Sequence, residues 1–306
     1  MSVAATARRR KRVNPLQRAE RRQAIGFISP ALLGLAVFTV LPVGLAIVMS
    51  VYDWPIFGER EFIGLGNYAE LLSKSPDFWP SLRNSFLFAL GYVPLNLVIS
   101  LGLALMLSAR IRGRAIFRVL FFIPVVTPMV ANAMVWRLML QPAGPLNGIS
   151  EAMFGITLPN FLVDKNWAMI SIIVMSVWAG MGYNMLIFTA ALEQVPASVI
   201  EAAELDGAHG FTMLWRIVLP MISPSVFFAS VMTIISALQV FTQPQLLTNG
   251  GPGTSTVPLV MFIYNTGFKF HDLGLAAAAA WLLFAIIISL TAVQFRAQSR
   301  WVHYEH

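Results

Sequence analysis

Long runs without a charged residue constrain this chain more than any other feature. Six stand out: 23–52, 84–109, 119–136, 166–192, 217–268 and 273–295. A membrane-crossing helix needs about 20 mostly apolar residues. The first run has 30 residues, too many for the apolar region of a cleaved signal peptide, about 7–15, and reads as a retained span. The fifth has 52, too many for one helix. The Pro- and Gly-rich stretch QPQLLTNGGPGTST (243–256) interrupts it. One span is therefore expected near 224–242. The remaining 12 residues, 257–268, suit a re-entrant or interfacial piece better than a crossing. The expectation is an all-α, polytopic bundle of six transmembrane helices.

Composition agrees. Only 11% of the residues are charged and 57% are hydrophobic, against about 25% charged in soluble domains. The net charge of +7 raises nucleic acid as a partner, but position argues against it. Eight of the 21 Lys and Arg fall within residues 1–22, directly before the first span, where they read as a cytoplasmic anchor. With that end inside, the inner segments hold 15 basic residues and the outer segments 6. Both termini are thus expected in the cytoplasm. The organisation expected is a basic arm (1–22), a membrane domain (23–296) with a cytoplasmic loop at 193–220, and a tail (297–306). Pro42, Pro94, Pro124, Pro128 and Pro224 fall within spans, where neighbouring helices can satisfy the carbonyls that proline frees. Pro124 and Pro128 together predict one bent helix.

Several chemistries find no residues. There is no cysteine, which removes disulfides and thiolate ligands. His209, His271, His303 and His306 are scattered without metal-ligand spacing, and no metal site is expected. None of the four lysines follows a glycine, so there is no phosphate-cradling G-x-x-x-x-G-K-[ST] loop. The spans carry no Asp, Glu, Lys or Arg of the kind that couples a carrier to an ion gradient. No catalytic constellation is visible, and an enzyme is not expected. What remains is a conduit without a motor: a passive channel, or a protein that receives force through a cytoplasmic contact.

One inner loop departs from the charge rule. Residues 193–216 hold Glu193, Glu201, Glu204 and Asp206 against Arg216 alone. In PASVIEAAELDG (196–207), Ser198 and Glu201 have capping-box spacing, which predicts a helix over 199–206. Gly207 can take the left-handed conformation that closes it. A second helical piece is expected over 211–218, with a bend after Leu219 imposed by Pro220. As bare geometry this is a helical hairpin linking two spans, and a DNA-reading helix-turn-helix has the same outline.

The identities in that loop carry more. Glu201-Ala202-Ala203, then Gly207, then Ile217-Val218-Leu219-Pro220, with three and nine residues between them, resemble the cytoplasmic signature of permeases of binding-protein-dependent ABC importers. Residues 247–268 and 62–72 are similar to segments of the sugar-type, or maltose-type, branch. The resemblance runs nearly throughout 25–295. It implies a type I importer permease in a bacterial-type inner membrane. Its partners would be a second related permease, a cytoplasmic ATPase dimer, an extracytoplasmic binding protein and membrane lipid. ATP and Mg would be used by the ATPase, and no cofactor by this chain. Glu201, Ala202, Ala203 and Gly207 would dock in a groove of the ATPase. Ile217, Leu219 and Pro220 would join that element to the fifth span, so that ATPase closure switches the spans between inward- and outward-open states.

The branch carries sugars, oligosaccharides or glycerol-phosphate compounds. A phosphate would favour Arg or Lys in the path, and the spans have none. Amide, hydroxyl and aromatic groups for a neutral solute are available at Asn132, Trp136, Tyr183, Asn184, Gln239, Thr242 and Gln243. Each also suits hydrogen bonding between helices. The alternative is a self-sufficient channel or facilitator for small polar solutes.

Overall fold

A computed structural model describes residues 15–55, 57–108 and 112–302. Helix α1 (Pro15–Leu35) runs through a π-turn (Ala36–Val40) into α2 (Leu41–Ser50). A small antiparallel pair, β1 (Tyr52–Asp53) and β2 (Glu61–Phe62), precedes α3 (Gly66–Ser73) and the long α4 (Phe78–Ser108). Then follow α5 (Arg114–Val126), α6 (Met129–Leu140), α7 (Pro145–Phe154) and α8 (Ala168–Glu193). The loop region holds α9 (Ala197–Leu205), α10 (Gly210–Met213), a π-turn (Leu214–Val218) and α11 (Leu219–Met221). The chain ends with α12 (Ser223–Leu238), α13 (Thr242–Leu247), α14 (Leu259–Tyr264), a π-turn (Asn265–Lys269) and α15 (Leu273–Gln298). The last part of the basic arm, residues 15–22, is continuous with the first span, because α1 begins at Pro15; residues 1–14 and 303–306 lie outside the described residues.

Four helical stretches are long and apolar enough to cross a membrane: Gln23–Ser50, α4, α8 and α15. Two further crossings are broken. Arg114–Val126 meets Met129–Phe154 at 97°, and Gly210–Met221 meets Ser223–Leu238 at 76°. Counting each pair once gives six spans. The expected single bent helix around Pro124 and Pro128 is instead two helices. Thr127 precedes a proline and takes an extended conformation (φ −74°, ψ 132°), which ends α5.

Among the prolines, Pro128 and Pro224 sit at breaks and Pro30, Pro94 and Pro124 lie inside α-helices, whereas Pro42 and Pro220 are absorbed by π-turns. In both absorbed cases the preceding residue bonds five residues back: Leu41 N–H to the Ala36 carbonyl, and Leu219 N–H to the Leu214 carbonyl. The widened turn makes room for a ring that would otherwise strike the carbonyl four residues earlier. The bend expected after Leu219 therefore does not form. It falls at Ile222 (φ −89°, ψ 6°), just before Pro224. Pro224 lacks the N–H that would reach the Pro220 carbonyl, and the Ser223 hydroxyl donates to that carbonyl at 2.6 Å instead.

The centre of the bundle is the long contact between α4 and α8. Gly180 seats the Tyr92 hydroxyl there: an added Cβ would lie 2.5 Å from Tyr92 Oη. Phe88, Ile172, Met175, Met185 and Phe188 are buried along this seam. Residues 257–268 form no crossing. Leu259, Met261 and Phe262 are buried, and α14 packs on α4 and α15. Ser85 Oγ accepts from Leu259 N–H at 2.8 Å, and Asn84 Nδ2 donates to the carbonyls of Thr254 (2.8 Å) and Val257 (3.1 Å).

Candidate functional site

The loop between α8 and α12 begins at Pro196, whose extended backbone (φ −64°, ψ 132°) opens α9. Val199 N–H donates to the Pro196 carbonyl at 3.1 Å. The helix thus starts two residues earlier than the capping box requires. Ser198 lies inside the first turn and makes no cap bond, because Pro196 has already set the entry angle. The other end follows expectation. Gly207 has φ +83°; its N–H donates to the Glu204 carbonyl at 3.1 Å, and Ala208 N–H donates to the Ala203 carbonyl at 2.9 Å. That pair of bonds is a Schellman closure.

Glu201, Ala202, Glu204, Asp206 and Gly207 are exposed, while Ala203 is buried beneath them. Ile217, Leu219 and Pro220 are half-buried along the π-turn and α11. Two large apolar side chains stand out beside the acids, Leu205 at 91% exposure and Phe211 at 75%. Not every acid in the loop is free. Glu193 is bound by Arg114 and by Arg118, the latter at 3.1 Å, so its charge is met within the chain. Glu201, Glu204 and Asp206 make no ion pair among the described residues.

A cavity of about 360 Å³ lies deeper in the bundle between α4, α5, α8, α12 and α13. Its polar lining is Tyr92, Ser176, Tyr183, Asn184, Thr233, Ser236 and Gln243. Asn184 is 3% exposed. Its Nδ2 donates to Asn96 Oδ1 at 2.7 Å and to Thr233 Oγ1 at 2.9 Å. Thr233 spends its own proton on the Ala229 carbonyl at 2.7 Å, which leaves its oxygen to accept. This directs the Asn184 amide, and Asn184 Oδ1 is left without a partner among the described residues. Ser176 Oγ, on the same lining, has none either. Buried polar atoms are ordinarily hydrogen-bonded; these two lie beneath the cavity surface, closed to solvent in this conformation, and would meet a ligand's hydroxyl groups only if the wall moved.

Of the seven residues expected along a solute path, three meet here: Tyr183, Asn184 and Gln243. Asn132 is buried and braces the broken span. Its Nδ2 donates to the Pro124 carbonyl at 2.9 Å, which Pro128, having no N–H, cannot reach. Trp136 packs against Trp178, with ring centroids 5.8 Å apart. Gln239 is exposed at the end of α12, and Thr242 opens α13. Tyr92, Ser176, Thr233 and Ser236 were not expected. Each sits singly in an apolar run, and only the crossing of α4, α8 and α12 brings them together.

The family model described as "Binding-protein-dependent transport system inner membrane component" matches residues 96–303. A probable ABC transporter permease protein, YesP, of Bacillus subtilis is 34% identical over 285 residues, covering 91% of each chain. The sn-glycerol-3-phosphate transport system permease protein UgpA of Agrobacterium fabrum is 34% identical over 285 residues, covering 90% of this chain and 94% of its own length. The lactose transport system permease protein LacF of Rhizobium radiobacter is 32% identical over 276 residues, covering 89% and 92%. Among solved structures, a bacterial alginate ABC transporter in complex with a pentasaccharide-bound periplasmic protein contains a chain that superposes with a TM-score of 0.78 at 19% identity. That match covers 94% of this chain and 98% of the other.

Proposed function

Because this chain belongs to the family of inner membrane components of binding-protein-dependent transport systems, we propose a specific working reading: it is the permease subunit of an ABC importer for a neutral, polyhydroxylated carbohydrate. The observation that carries the solute class is the cavity lining. It offers hydroxyls, amides and an aromatic face, and among the described residues no Lys, Arg, Asp, Glu or His. Such a lining matches sugar hydroxyls, whereas a phosphate would require a cationic or multiple-donor cradle.

Force reaches the cavity from outside the chain. The Schellman-closed helix α9 presents its acids and Leu205 to a cytoplasmic ATPase dimer, which binds ATP and Mg and does the hydrolysis. Glu201, Ala202, Ala203 and Gly207 form the docking element. The in-line helix from Gly210 to Met221, which includes Ile217, Leu219 and Pro220, passes the displacement to α12 and so to Thr233 on the cavity wall. A second, related permease completes the pathway, and an extracytoplasmic binding protein delivers the solute. Both termini face the cytoplasm. This chain carries no catalytic step of its own.

Reconstitution tests the reading. Liposomes holding the permease pair, the ATPase, the binding protein and internal ATP should accumulate a neutral oligosaccharide. Liposomes holding this chain alone should not pass it. ATP-independent flux through the chain alone would overturn the importer reading in favour of a passive channel. Preference for a glycerol phosphate over neutral sugars would overturn the solute class.

A further inference from the structure

A second concavity, of about 600 Å³, lies on the flank of α4. It is separate from the polar cavity because α4 has two faces. Asn96 and Ser100 turn toward α8, where Ser100 Oγ donates to the Met181 carbonyl at 2.8 Å. Leu97, Leu101 and Leu105 instead line the groove. The opposite wall is the in-line helix, with Trp215 and Leu219, and the end of the chain, with Trp301. The tail is held there by packing: Val302 is buried against Phe227 and Val231, and the Trp301 ring lies 6.0 Å from that of Phe227. The lining is almost wholly apolar.

Its mouth is different. Trp215 is 56% exposed and Trp301 41%. Each is next in sequence to an exposed arginine, Arg216 and Arg300. Neither arginine makes an ion pair among the described residues. Tryptophans mark the boundary between hydrocarbon and water, and long basic side chains there reach outward to the head-group layer. An apolar trough that runs from mid-span to two half-exposed tryptophans, each beside in sequence an arginine without an ion pair among the described residues, has the polarity of a phospholipid, with tails inside and a negative head outside.

We propose that this groove holds acyl chain of one anionic phospholipid, its phosphate against Arg216 and Arg300. Basic sites at the cytoplasmic ends of spans attract anionic lipid in this way. The groove wall includes Leu219 and Pro220, so the bound lipid lies directly against the in-line helix. The inference needs only that the chain crosses a bilayer, and it stands apart from the identity of the solute.

The test uses the assembled transporter in native membranes, with a benzophenone amino acid in place of Leu101. Illumination followed by mass spectrometry should give an adduct of one phospholipid, enriched in phosphatidylglycerol over phosphatidylethanolamine. The double variant Arg216→Gln/Arg300→Gln should lower that enrichment by roughly 30-fold. In native mass spectrometry, Leu101→Trp, which fills the trough, should retain one phosphatidylglycerol fewer than wild type. An adduct with a polypeptide would overturn the proposal and identify the groove as a subunit contact. A lipid adduct indifferent to head group, or no adduct together with an unchanged lipid count in Leu101→Trp, would overturn it as well.

Discussion

Asn184 donates its amide to Asn96 Oδ1 at 2.7 Å across the longest helix contact in the bundle, while its own carbonyl oxygen has no partner among the described residues. One side chain thus joins α8 to α4 and keeps an unpaired acceptor beside the cavity. Asn184→Ala should weaken the bundle and the solute site together. A double-mutant cycle between Asn184→Ala and Thr233→Val should give a coupling of about 0.6 kcal/mol, the average for such bonds between membrane helices. Thermal unfolding of the four proteins in detergent reads it, and a coupling of zero would refute the bond.

Ser176 and Ser100 make a matched pair for comparison. Ser100 Oγ is bonded to the Met181 carbonyl and Ser176 Oγ to nothing among the described residues. Ser100→Ala should cost about 1 kcal/mol of stability. Ser176→Ala should leave the melting temperature unchanged or slightly raised, and should raise KM for transport severalfold. A lowered melting temperature with unchanged KM would reverse the assignment.

Gly207 has open space around its Cα, so only its backbone conformation resists substitution. Gly207→Ala should cost about 1–2 kcal/mol locally through the left-handed φ. Gly207→Asn should cost less, since Asn tolerates that region. Co-purification with the ATPase subunit should fall in the order Gly, Asn, Ala, with membrane insertion unaffected throughout. Equal co-purification of all three would show that the Schellman closure does not shape the docking element.

Charge reversal tests the neighbouring acids. Glu201→Lys should abolish ATPase association if the docking groove is basic. Glu193→Gln should behave differently, because Glu193 is already bound by Arg114 and Arg118. The loss of that solvent-exposed pair should leave stability nearly unchanged, because water and salt screen it, and should leave association intact. Salt-dependent pull-downs of the two variants distinguish them.

How much of this was legible beforehand depended on the range of the interaction. The spans were visible because each depends only on its own run of apolar residues, and Gly207 because its closure is made within six residues of chain. The start of α9 was misread because Pro196 outcompetes the Ser198–Glu201 box for the same turn. The bend at Pro220 was misplaced because a π-turn upstream is not encoded by any residue type, and it moved the break to Ile222. Asn132 looked like a solute ligand, but its partner is a carbonyl eight residues back, freed by Pro128. Tyr92 and Ser176 were invisible as a set because they lie on different helices, and only the packing of α4 against α8 places them on one wall.

The π-turn between Leu214 and Val218 also changes what the spacing in the loop means. One additional residue within a helical turn advances everything beyond it by roughly 100° about the helix axis. The stretch between Gly207 and Pro220 therefore acts as a torsional setting rather than a tether. It fixes which way Phe211 and Trp215 point when Val218 points inward. Adding or deleting a single residue there would leave the reach of the loop almost unchanged and present a different face to whatever docks on it.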